Sequence, residues 1–152
     1  MPRIVREAAV DWKGSTARGA GVVEAASSGA FALPVTLASR VAGPEGKTSP
    51  EELLAAAHAA CFVTSLGSEL ARAGTPPVRM HVHCRVTMDE VEGKGHLIVA
   101  SAITTRGVVP GADRASFAQA AEAADAGCPF SSLIKASATV TIDATLESEG
   151  GR

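Results

Sequence analysis

Ser49–Gly74 reads SPEELLAAAHAACFVTSLGSELARAG, and this stretch decides the fold. Ser49 can cap a helix N-terminus, Pro50 suits the first helical position, and Glu52 stands three residues beyond the cap, the spacing of a capping box. Gly74, followed by Pro76 and Pro77, supplies the stop. The pattern predicts one helix over about 50–73. Leu53, Ala57, Cys61 and Thr64 fall on one face at i, i+4, i+8 and i+11, which points Cys61 at a packed surface.

On the N-terminal side, Ile4–Trp12, Val22–Ala26 and Phe31–Ser39 read as strands, the last two joined in a hairpin by Ser27–Ala30. A Gly-rich turn at Gly14–Gly21 carries Arg18, and Gly43–Pro50 reads as a loop. On the C-terminal side, Val78–Glu90 reads as a strand. Val82, Cys84, Val86 and Met88 alternate onto one face, and His81, His83, Arg85 and Thr87 onto the other. His96–Val109 is its antiparallel partner. Ala112–Ala126 predicts an Ala-rich helix anchored by Phe117 and ended by Gly127. Pro129 opens a short helix with Cys128 near its N-cap. Ser137–Glu147 closes as a half-buried strand, and Ser148–Arg152 is expected to fray. These elements predict a single domain over 1–152: N-terminal strands to about 40, the helix at 50–73, a hairpin at 78–106, then helices and the final strand at 112–147. Strands in blocks separated by helices define an α+β fold with mainly antiparallel pairing.

The bulk composition narrows the function. Hydrophobic residues make up 46% and charged residues 20%, which is globular, and a net charge of −2 speaks against nucleic acid or an anionic membrane surface as a partner. No apolar run is read as approaching the roughly 20 residues of a membrane span, and Met1–Trp12 lacks the apolar block of a signal peptide. The expected location is the cytoplasm. There thiols stay reduced, so Cys61, Cys84 and Cys128 are reactive, metal-binding or packing residues rather than structural disulfides.

The three cysteines differ by position. Cys84 lies on the apolar face of a strand and reads as a small hydrophobe. Cys128, at a helix start, faces free N–H groups that favour a thiolate, although a Cys-Pro pair also serves as a plain helix junction. Cys61 is mid-helix. Burial against Leu and Ala would make it inert, so pattern alone favours packing unless a cation reaches it, with Arg18 and Arg40 in the preceding turn and loop as candidates. His58, three residues earlier, reads as a packed residue, or as a base or ligand beside Cys61. His81 and His83 share a solvated strand face, and with no Cys-x-x-Cys spacing a metal centre has little support.

Thr48–Phe62 (TSPEELLAAAHAACF) together with Ala126–Phe130 (AGCPF) resembles the OsmC/Ohr family of osmotically inducible and organic-hydroperoxide-resistance proteins. The His-Ala-Ala-Cys form, with DWKG…RGAG near the N-terminus, is similar to the OsmC branch. The resemblance implies an OsmC-like fold with sheets wrapped around central helices in an intertwined homodimer. It implies a cofactor-free, thiol-dependent peroxidase acting on organic hydroperoxides in oxidative or osmotic stress. Cys61 corresponds to the peroxidatic cysteine, Cys128 to the resolving one, Arg40 or Arg18 to the activating arginine, and Glu51 to the glutamate that orients it. A lipoyl or thioredoxin-type dithiol is the implied reductant. Glu51 and Cys61 lie about 15 Å apart along one helix, so Glu51 is expected to act across the dimer. Two other readings compete: a non-catalytic dimer holding a small apolar ligand, and a metal site of His58, Cys61 and Cys128.

Overall fold

The computed structural model describes residues 2–148, and the expected frayed tail lies outside them from residue 149 on. The chain forms two compact units, one up to Leu53 and one from Leu54 on.

In the first unit, β1 (Ala9–Lys13), β2 (Ala20–Glu24) and β3 (Ala32–Val35) form an antiparallel sheet in that order. Trp12 lies across from Gly21, where a Cβ would meet the indole at 2.8 Å; the glycine makes room for the ring. The first strand begins at Ala9 rather than Ile4, and Ile4 and Val5 stand exposed. The expected strand Phe31–Ser39 breaks at Thr36, because Thr36 and Ser39 form a reciprocal capping box that starts a short helix, α1 (Leu37–Val41). Side-chain hydrogen bonding here overrides the strand preference of the flanking apolar residues. Ser39 also donates to the Thr48 carbonyl at 2.8 Å, which ties α1 to the loop before the next helix.

That helix, α2 (Pro50–Arg72), has the expected bounds. The Glu52 N–H donates to Ser49 Oγ as a cap should, but the Glu52 carboxylate accepts from the Thr48 hydroxyl at 2.8 Å. Its buried stripe is His58, Phe62, Leu66 and Leu70, not the face carrying Cys61. Cys61 is half-buried, and Thr64 is exposed. By length and composition α2 does qualify as a membrane-crossing helix, contrary to the expectation. Its stripe instead forms the centre of the second unit's core, and Glu51, Glu52, Glu69 and Arg72 mark its ends.

The second unit is built on β4 (Arg79–Val91), β5 (Gly95–Val108) and β6 (Thr139–Glu147). The β4–β5 hairpin is antiparallel, with a register shift at Thr87/Met88; β6 joins β5 in parallel. A parallel neighbour needs a crossover, and α3 (Arg114–Gly127) and α4 (Pro129–Lys135) supply it. Asp113 caps α3 in a box with Ser116, so this helix starts two residues later than expected. The core joins Phe62, Leu66 and Leu70 of α2 to Ile103, Phe117, Ala121 and Ala124. The Phe117 ring reaches the sheet because position 107 is glycine; a Cβ there would stand 3.2 Å from it.

Candidate active site

Cys128 is the residue between α3 and α4 and caps the second. Its sulfur accepts from the Ser131 N–H at 3.5 Å, and its own N–H donates to the Asp125 carbonyl at 3.3 Å. Pro129 needs no hydrogen-bond acceptor at the first helical position. This junction is exposed at Gly127 and Pro129 but buries Cys128, which is only 1% exposed. It delivers Cys128 Sγ to 3.0 Å from Cys61 Sγ, across 67 residues of sequence. Both are free thiols. A disulfide needs about 2.05 Å between sulfurs, so closing this pair requires a movement of about 1 Å.

Burial pushes the Cys61 thiol up from its ordinary range, and the adjacent Cys128 adds to the rise, first through the hydrogen bond between the two thiols and less by opposing a second negative charge. The Phe130 N–H and the Ser65 hydroxyl, which hydrogen-bond the Cys61 sulfur, work the other way without reversing it. Within its own unit, the surroundings of Cys61 thus disfavour the thiolate on balance.

In the first unit, Arg40 and Glu51 form an ion pair. Arg40 Nε and Nη2 both reach Glu51 Oε1 at 2.8 Å. Glu51 Oε2 is buried and has no hydrogen-bond partner among the described residues, leaving one acceptor free. The pair forms within one chain. Arg18 is elsewhere in this unit, lining a cavity of about 230 Å³ with Gly19, Thr36, Ser39 and Lys47.

His58 is fully buried. Its Nδ1 is 2.7 Å from Ser101 Oγ and its Nε2 is 2.8 Å from Ser131 Oγ. Both nitrogens are occupied, so a metal site of His58, Cys61 and Cys128 lacks its imidazole donor. Among the described residues no group of three or more His, Cys, Asp or Glu is placed to hold a metal ion. Desolvation holds the imidazole below its ordinary range; Asp125 raises it and Lys135 lowers it, both by smaller amounts. Cys84, on the inward face of β4, lies 3.2 Å from Ser101 Oγ, and burial pushes its thiol up. That agrees with its reading as a packing residue. Ser101 and Ser131 are absent from the sequence reading. Ser131 carried a usable signal, since it stands three residues after a cap-forming Cys128; Ser101, inside a strand, carried none.

A pair of free thiols brought together from a mid-helix position and a helix cap is the arrangement that thiol redox chemistry requires. The chain belongs to the OsmC family: residues 43–143 match the model of the OsmC-like proteins. Peroxiredoxin OsmC of Escherichia coli strain K12 is 37% identical over 137 residues, spanning 90% of this chain and 93% of that protein. Two solved structures share the fold. An organic hydroperoxide resistance protein OsmC from Legionella pneumophila is 20% identical, with a TM-score of 0.75 over 94% of this chain and 99% of that one. The organic hydroperoxide resistance protein OhrB of Bacillus subtilis is 22% identical, with a TM-score of 0.71 over 91% and 97%. The class is that of a cysteine-based peroxidase.

Proposed function

We propose that this protein reduces organic hydroperoxides to alcohols, and hydrogen peroxide less efficiently, in defence against oxidative and osmotic stress. The observation that carries the reading is the 3.0 Å separation of the Cys61 and Cys128 sulfurs. Cys61 thiolate attacks the outer peroxide oxygen. The O–O bond breaks, the alkoxide takes a proton and leaves as alcohol, and Cys61 becomes a sulfenic acid. The Cys128 thiol then attacks the Cys61 sulfur, and its proton leaves with the hydroxyl as water. An external dithiol of the lipoyl or thioredoxin type reduces the disulfide by exchange. No cofactor enters, and a reducing cytoplasm keeps both thiols ready.

Thiolate formation needs a cation, and the Arg40–Glu51 pair is the unit we assign to it, with Arg18 the competing source. The pair serves Cys61 of a second copy of the chain, in a homodimer. Supporting a dimer, the first unit exposes Val10 and Trp12 on one face of its sheet and Val22 on the other, with Ile4 and Val5 exposed ahead of β1. Exposed Phe130 and Leu133 on α4 would favour an alkyl group on the peroxide.

The deciding experiment is stoichiometric oxidation with cumene hydroperoxide, alkylation and peptide mass spectrometry, beside steady-state assays with cumene, t-butyl and hydrogen peroxides. A Cys61–Cys128 peptide and the highest kcat/KM with an organic peroxide are expected. Full turnover by Cys61→Ser overturns the mechanism, and a monomer in sedimentation overturns the dimer.

A further inference from the structure

We propose that His58 is a positioning residue for disulfide closure, holding Cys128 against Cys61 through Ser131; the inference rests on the peroxidase reading above. The geometry is a ladder with two rungs. His58 and Cys61 are three residues apart on α2, and Cys128 and Ser131 are three residues apart at the start of α4. Each pair lies within one helical turn and moves as one body. One rung is the 2.8 Å contact of His58 Nε2 with Ser131 Oγ; the other is the 3.0 Å gap between the sulfurs. Fixing the first rung sets the second.

The rung is anchored at both ends. On the α2 side, His58 Nδ1 meets Ser101 Oγ of β5 at 2.7 Å, which orients the ring. On the α4 side, the Ser131 N–H donates to Cys128 Sγ, so the residue that meets the imidazole also touches the reacting sulfur. Lys135, at the end of α4, pairs with Asp125 of α3 and holds the junction from behind. An apolar side chain at position 58 would fill the same core without the cost of desolvating an imidazole. What the histidine adds is a directional link between the two elements that must approach.

That link matters at one step. When the Cys128 thiol attacks the Cys61 sulfenic acid, an S–S bond forms as the S–O bond breaks, and water leaves. Closure requires an approach of about 1 Å, from 3.0 Å to the disulfide distance. Peroxide attack on Cys61 meets α4 only through the opposing effects of the Phe130 N–H and Cys128 on the Cys61 thiol, so loss of the link slows the second step far more than the first.

The test compares His58→Asn, His58→Gln and Ser131→Ala with the wild-type protein. A glutamine amide reaches about as far as Nε2 and can keep Ser131; an asparagine amide reaches only the Nδ1 position and keeps Ser101 alone. Reduced protein is mixed with one equivalent of cumene hydroperoxide and quenched over time. Sulfenic acid is read by dimedone trapping, disulfide by peptide mass, and folding by thermal melting. All four proteins should form the sulfenic acid at similar rates. His58→Asn and Ser131→Ala should close the disulfide at least about tenfold more slowly, and accumulate Cys61 sulfinic acid in excess peroxide, whereas His58→Gln stays within about threefold of wild type. Equal closure rates for the Asn and Gln variants, fast or slow, overturn the inference and leave the peroxidase reading standing. Should His58→Asn not fold, Ser131→Ala decides alone, and wild-type closure in that variant overturns it. Absence of the disulfide in wild type overturns both readings.

Discussion

Cys61 and Cys128 stand sulfur to sulfur at 3.0 Å, one half-buried on the long helix and the other wholly buried as the cap of a short one. The more accessible sulfur is suited to meet peroxide, and the buried one is suited to meet only its neighbour. Replacing Cys128 by Ser should therefore preserve one turnover per protein and abolish recycling through the disulfide. Under excess peroxide Cys61 should then proceed to sulfinic acid. Rapid-mix peroxide consumption followed by intact mass checks this; sustained wild-type turnover with a dithiol contradicts it.

The Arg40 guanidinium places two nitrogens on one oxygen of Glu51. A lysine is a single point charge and cannot reproduce that fork. Arg40→Lys should lower kcat/KM by about tenfold or more while leaving the melting temperature nearly unchanged, because the pair is partly exposed. If Arg18→Lys produces the loss and Arg40→Lys does not, Arg18 is the activating residue.

Cys84 packs on the inward face of β4 with its thiol against Ser101. Cys84→Ser should keep activity within about twofold and cost about 1 kcal/mol of stability, the ordinary effect of a small change in a packed site. Steady-state assays and urea unfolding measure the two. A large loss of turnover in a folded variant would give Cys84 a role in the chemistry.

Thr105 is fully buried in β5, and its hydroxyl has no hydrogen-bond partner among the described residues. Valine has nearly the same shape and removes the unpaired group. Thr105→Val should stabilise the protein by about 1–2 kcal/mol in urea unfolding. A destabilised variant would show that the hydroxyl has a partner in solution.

His58 gives a pH dependence with a definite sign. Its folded value lies below the ordinary one near 6.5, chiefly through burial, with Asp125 opposing and Lys135 adding to the shift. Above about 6.5 both folded and unfolded imidazoles are neutral, and the site's contribution is fully present. As pH falls below that, the unfolded chain binds the proton first, so stability declines until the folded value is reached. Denaturation midpoints between pH 8 and 5 should fall on the acid side, and the His58→Gln variant should lose that component.

Much of the fold was legible because its signals are local. The Ser49 cap and Pro50, the alternation along Val82–Met88, and the Cys128–Pro129 junction each depend on residues within a turn or two, and each element forms where expected. The failures have the same root. At Thr36 a two-residue capping box outweighed the apolar run, and on α2 the face with Cys61 had as good a period as the face with His58. Only packing against Ile103 and Phe117 chose between those faces.

The sequence by itself determined the helix that carries Cys61, the cap position of Cys128, and a residue pattern similar to a peroxidase family. The tertiary structure alone decided that two sulfurs 67 residues apart lie within reach, that Arg40 and Glu51 pair within one chain, and that His58 is tied to Ser101 and Ser131. Local rules act through the backbone over a few residues. The cysteine and His58–Ser131 contacts depend on where a parallel crossover and a helix junction return the chain, and the Arg40–Glu51 pair on the loop between α1 and α2; none of these is settled within a turn of backbone.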